Sequence, residues 1–113
     1  MDMDLYGVCP YVTTQKLLSG KWSIFILHIL CEGPIRFNAL KRRMPEEITH
    51  TSLSRQLKSL EDQGLVIRRE YSQIPPKVEY SLSEIGDEFK GVLDALGQWG
   101  EIYIDFIRGK EGQ

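Results

Sequence analysis

The segment Thr49-His-Thr-Ser-Leu-Ser-Arg-Gln-Leu-Lys-Ser-Leu-Glu-Asp-Gln-Gly64, with the Val66-Ile-Arg-Arg-Glu-Tyr71 and Val78-Glu-Tyr-Ser-Leu82 that follow it, decides the fold. Leu53, Leu57 and Leu60 recur at helical spacing along one side of a helix predicted from Thr51 to Gln63, while Thr51, Arg55 and Lys58 fall on the other. Gly64 suits the end of that helix. The two short apolar runs flank Pro75-Pro76-Lys77, which predicts a two-stranded hairpin. A helix with an apolar seam and a basic, hydroxyl-rich face, running into a basic hairpin, is the layout of a recognition helix and a wing. It points to duplex DNA.

Upstream, residues 1–12 read as a short arm containing Cys9-Pro10, and Thr13 or Thr14 is placed to cap a short helix through Leu18. Lys21 to Glu32 predicts a second helix, apolar nearly all round and therefore central to the core, which Gly33-Pro34 ends. A third helix is expected from Phe37 to Met44, with Phe37, Leu40 and Met44 inward and Lys41, Arg42 and Arg43 outward. The helix-turn-helix thus spans about 36–63 and the wing about 65–82.

Downstream, Ser83 is a suitable N-cap for a last helix over about 84–108. Its apolar stripe of Ile85, Phe89, Val92, Leu93, Leu96, Trp99, Tyr103 and Phe106 is longer than a small core needs. Leu93, Leu96, Trp99, Tyr103 and Phe106 are expected to face a second subunit, with burial in the chain's own core as the competing reading.

At 113 residues and 42% apolar content, one domain over 1–113 is expected. No apolar run is long enough for a membrane span, and the longest, Ile24 to Cys31, is interrupted by His28. The Met-Asp-Met-Asp start lacks secretory-signal character, and two cysteines do not make a disulfide framework; both favour a cytoplasmic location. Net charge is −2 with a pI near 5.7. From Arg36 to Lys77, however, nine Lys or Arg stand against five Asp or Glu, a balance of +4 that leaves −6 elsewhere.

An enzyme is disfavoured, because two histidines without a carboxylate pair or nucleophile arrangement support no acid–base chemistry. No phosphate-cradling glycine loop occurs, and Cys9, His28, Cys31 and His50 lack metal-ligand spacing, so neither cofactor nor metal is expected. Trp22, Phe25 and Phe37 read as core rather than as a ligand box.

Taken together, Cys9-Pro10, Leu18-Ser-Gly-Lys-Trp22, Gly33-Pro-Ile-Arg-Phe37, Leu57-Lys-Ser-Leu-Glu-Asp-Gln-Gly-Leu-Val66, Pro75-Pro-Lys-Val-Glu-Tyr-Ser-Leu-Ser-Glu-Ile-Gly86 and Trp99 resemble the HxlR-type winged helix-turn-helix transcriptional regulators. The resemblance runs from Cys9 to about Tyr103. It implies a mainly α fold with a small β-hairpin wing, dimeric through its N- and C-terminal helices, in a homodimeric regulator of double-stranded DNA operators. Thr49-His-Thr-Ser-Leu-Ser54 is this chain's own version of the motif, so the operator sequence is not implied.

For the readout itself, Arg55 is the leading base reader, because its fork matches guanine O6 and N7, while Lys58 suits a phosphate. Thr49, His50, Thr51, Ser52 and Ser54 offer further contacts at the N-terminal end of the helix, and capping competes with contact for Thr49 and Thr51. Arg36 and Asn38 are expected on the DNA backbone, and Lys77, at the wing tip, on an adjacent groove or phosphate. Arg68 and Arg69 point to opposite sides of the hairpin, so at most one faces DNA. Cys9 is the candidate redox or electrophile switch, as the resemblance implies for such an N-terminal cysteine, and an inert packed thiol is the alternative. Cys31 reads as core. An effector, small molecule or oxidant, is compatible with this reading. The rival from another class is a winged-helix protein-interaction module, and the polar outward face of Thr51, Arg55 and Lys58 argues against it.

Overall fold

The computed structural model describes residues 5–111; the acidic start at residues 1–4 lies outside them. At the centre is α2 (Ser23–Leu30), whose Ile26, Leu27, Ile29 and Leu30 are buried. The helix is shorter than its apolar run at both ends. The Trp22 backbone N–H is taken by Gln56 Oε1 at 2.9 Å, and the C-terminus tightens into Glu32→Ile29 and Gly33→Leu30 bonds before Gly33 turns at φ +128°.

Before it, α1 (Pro10–Leu17) is capped at Cys9, four or five residues earlier than the threonines suggested. Proline's fixed φ and missing N–H suit the first helical position, where that donor has no partner in any case. Thr13 Oγ1 accepts from the Gly7 N–H and Thr14 Oγ1 donates to the Pro10 carbonyl, so neither caps a helix of its own. Cys9 is consequently the half-buried N-cap position of α1 rather than part of a free arm.

After α2 come β1 (Ile35–Arg36), α3 (Phe37–Arg43) and α4 (His50–Asp62). The leucine seam holds: Leu53, Leu57 and Leu60 are at most 1% exposed and pack with Ile26, Leu40 and Tyr80. Each contributes about 1.5–3 kcal/mol of burial. Thr49 caps α4, its Oγ1 accepting from Ser52 N–H at 3.0 Å. At the other end Leu65 N–H bonds the Leu60 carbonyl and Gly64 N–H the Glu61 carbonyl, with Gly64 at φ +82°. That is a Schellman ending, closed by apolar contact between buried Leu60 and Leu65.

The hairpin comprises β2 (Val66–Tyr71) and β3 (Lys77–Leu82), antiparallel with Tyr71 opposite Lys77. β1 was not foreseen. It pairs Ile35 with Tyr80, making a three-stranded sheet of order β1-β3-β2.

The expected single last helix is two. Ser83 Oγ accepts from Gly86 N–H and donates to the Gly64 carbonyl, starting the one-turn α5 (Glu84–Asp87). A turn closed by Phe89 N–H on the Gly86 carbonyl precedes α6 (Lys90–Glu111). Gly86 is required by space: a Cβ there would lie 2.3 Å from the Leu65 carbonyl oxygen. Gly86→Ala should therefore lower stability by about 1–3 kcal/mol in urea unfolding. Gly91→Ala, whose Cβ would meet nothing within 4 Å, should be neutral or stabilising by up to about 1 kcal/mol. Equal effects of the two changes would contradict the close contact.

Candidate nucleic-acid interface

At about 100° per residue, burying Leu53, Leu57 and Leu60 leaves Thr51 and Arg55 facing away from the core. Both are exposed, and Arg55 has no ion pair among the described residues. Lys58, one turn on, is held by Asp62 at 3.1 Å and Glu61 at 3.9 Å. Hydrogen bonding to Asp62 raises its ammonium pKa above the ordinary lysine value. Ser52 gives its backbone N–H to the cap, and Ser54 Oγ lies 3.4 Å from His50 Nδ1.

Beside this ridge, α3, α4 and the hairpin enclose a concavity of about 730 Å³. Arg36, Asn38 and Arg42 line it from the α3 side, His50, Ser54 and Lys58 from α4, and Arg68 and Lys77 from the sheet. Arg36 and Arg42 are exposed and carry no ion pair among the described residues. Of the two hairpin arginines, Arg68 is the one on this side, bonded to Glu70 at 2.9 Å. Strand alternation separates the pair but leaves the choice to the sheet's register.

Lys77 is not at the wing tip. Its pairing with Tyr71 makes it the first residue of β3, with its ammonium 4.5 Å over the Tyr71 ring and 3.4 Å from Glu79. Tyr71 donates to the other Glu79 oxygen at 3.1 Å, completing a clamp at the loop's base. Arg42 was not singled out as a contact from the sequence, although its i,i+4 relation to Asn38 places both on one helix face.

A second surface lies on α6. Leu93, expected at an interface, packs instead in the core, and Phe89 packs partly against it. The rest of the stripe stays open, with Trp99 61% and Ile102 66% exposed. Trp99, Tyr103 and Phe106 form a ladder with successive centroids 5.3 and 5.6 Å apart. Burial in the chain's own core thus accounts for only Phe89 and Leu93 of the stripe.

Both cysteines are free. Burial pushes the Cys31 thiol pKa up, against an opposing pull from Lys90. Lys21, which could favour a Cys9 thiolate only by approaching it, is engaged by Glu46 at 3.1 Å and lies over the Trp22 ring. Among the described residues no cluster of His, Cys, Asp and Glu is placed to hold a metal, and no helix is long and apolar enough to cross a membrane.

The HxlR-like helix-turn-helix family model matches residues 17–107. The uncharacterized HTH-type transcriptional regulator YkvN of Bacillus subtilis (strain 168) is 43% identical over 97 residues, covering 86% of this chain and 81% of YkvN. The crystal structure of the HTH-type transcriptional regulator YtcD superposes with a TM-score of 0.80 at 43% identity, covering 87% of this chain and 99% of YtcD. The redox regulator HypR in its reduced form gives 0.82 at 37% identity, covering 89% and 99%. These relatives are transcriptional regulators, not enzymes, and their winged-helix architecture is the one described above. The chain belongs to the HxlR-like helix-turn-helix family.

Proposed function

We propose that the chain, acting as one DNA-binding unit in the cytoplasm, is a homodimeric transcription factor that represses by occupying a two-fold-related operator. The observation that carries this reading is the cation-lined concavity beside α4, with Arg36, Arg42 and the outward Arg55 unpaired among the described residues. Arg55 reads a base edge, with Thr51 beside it; Arg36, Asn38, Lys58 and Lys77 hold phosphates. Repression follows simply, since a small dimer seated on an operator blocks polymerase.

In-vitro selection of random duplexes on the reduced protein should enrich an inverted repeat whose half-sites lie about one helical turn, 34–36 Å, apart. Arg55→Ala should then cost about 1–3 kcal/mol and relax one position in each half-site, whereas Lys58→Ala should weaken all sequences alike and reduce the salt slope by about 1. Failure to enrich any sequence would favour the protein-interaction module instead.

The dimer is assigned to the open face of α6, where Leu96, Trp99, Tyr103 and Phe106 find a partner in the same face of a second copy. Sedimentation velocity should give a dimer for the unmodified chain and a monomer of unchanged helicity for the Trp99→Glu, Tyr103→Glu double variant. A monomer from the unmodified chain at tens of micromolar, a concentration on the order of those in such runs, would remove the two-fold operator from the proposal.

Cys9 is the proposed oxidant or electrophile sensor, a reading supported by similarity to HypR, which is described as a redox regulator. After diamide, mass spectrometry should find Cys9 modified and operator affinity altered, with Cys31 modified less because its thiolate is disfavoured. An unmodified Cys9 with unchanged affinity would exclude the switch.

A further inference from the structure

His50 opens α4, and its orientation is set from two sides. Its ring lies 4.4 Å from that of Phe37, centroid to centroid, and Phe37 is anchored in turn 6.5 Å from the ring of buried Tyr80. On the other side, His50 Nδ1 makes a long contact of 3.4 Å with Ser54 Oγ, one helical turn on. That is the only hydrogen bond of the Ser54 hydroxyl among the described residues. The tautomer with the ring proton on Nε2 lets the Ser54 hydroxyl donate to the Nδ1 lone pair. Nε2 has no partner among the described residues, and the ring lines the concavity alongside Arg36, Asn38 and Arg42.

We infer that His50 is a second base reader, presenting Nε2–H as a fixed donor to a purine N7 in the major groove, with Ser54 and Phe37 as its positioning residues. The inference rests on the DNA-binding reading and adds to it an atom, a proton and a base-edge chemistry. Two considerations select N7. The groups around the ring are mainly donors, so a complementary duplex supplies acceptors: phosphate oxygens to the guanidinium groups, and a base nitrogen to Nε2–H. His50 also sits on the flank of α4 rather than on its outermost ridge, and N7 is the purine acceptor nearest the edge of the groove and the sugar–phosphate strand.

The test uses the selected operator and duplexes in which single purines are replaced by 7-deazapurines, which exchange N7 for C–H and keep base pairing. One replacement per half-site should weaken binding of the full chain by about 5- to 10-fold. His50→Ala should bind the natural operator weaker by a similar factor and no longer sense that replacement. Ser54→Ala should lose about 2- to 3-fold at the same position, while Arg55→Ala should relax a different position and keep the sensitivity to 7-deazapurine. His50→Asn, checked by circular dichroism, serves as a second variant if the alanine change disturbs α4. The inference is overturned if His50 variants weaken every duplex equally, which marks a phosphate contact or a structural role, or if no replacement separates them from the unmodified protein. If the unmodified protein selects no sequence, the DNA-binding reading fails and this assignment falls with it. If it selects an operator that His50 does not help to read, only this assignment falls.

Discussion

Burial of Leu53, Leu57 and Leu60 is the constraint on which the rest of the structure depends. A helix repeats about every 100°, so fixing three side chains inward fixes the direction of every other one, Arg55 and Thr51 included. The same helix reaches across the core through Gln56, which takes the Trp22 N–H and so couples the start of α2 to the rotation of α4. Its Schellman ending delivers Leu65 to the position where its carbonyl receives the Ser83 N–H and abuts Gly86. Recognition helix, wing and the start of the C-terminal segment therefore share one small group of residues and hold one another in place.

The electrostatics resolve how a chain of net charge −2 presents a basic surface. Three of the cations around the concavity are already paired: Lys58 with Asp62, Arg68 with Glu70 and Lys77 with Glu79. The exposed pairs, Lys58–Asp62 and Arg68–Glu70, contribute little to stability, so a phosphate can replace the carboxylate there at small cost, whereas Lys77–Glu79 is half-buried. What the carboxylates do is hold long side chains near one geometry. Arg36, Arg42 and Arg55 have no such partner among the described residues and supply the uncompensated positive charge.

The open face of α6 follows from the same packing. The turn at Glu88–Phe89 lets Phe89 and Leu93 reach the core, and the helix then runs on to Glu111, about five further turns, with Trp99, Ile102, Tyr103 and Phe106 outward. Removing such a row of large apolar groups from water is a strong drive toward association. A symmetric partner on that face would set the distance between the two copies of α4, and so the spacing of the sites they reach.

Much of this was legible in the amino-acid sequence, because its signals are local. Leucine periodicity defines α4 to within a residue, Gly64 marks its end, Ser83 marks the following cap, and alternation with Pro75-Pro76 marks the hairpin. Where the chain's neighbours decide, sequence was silent or misleading. The two-residue β1 is a strand only because β3 pairs with it, and α1 starts at Pro10 because a residue that looks like a break also fits the first helical turn. The division of the last helix at Phe89 reflects the contact between Gly86 and Leu65, twenty-one positions apart. Sequence alone determined the family, the recognition helix and its outward face. Tertiary structure decided that Arg68 rather than Arg69 joins the concavity, that Lys77 is clamped at the wing's base, and that Leu93 belongs to the core. The reason is physical: helical period sets angles within an element, whereas which side of a strand or which part of a stripe is covered depends on a partner distant in the chain.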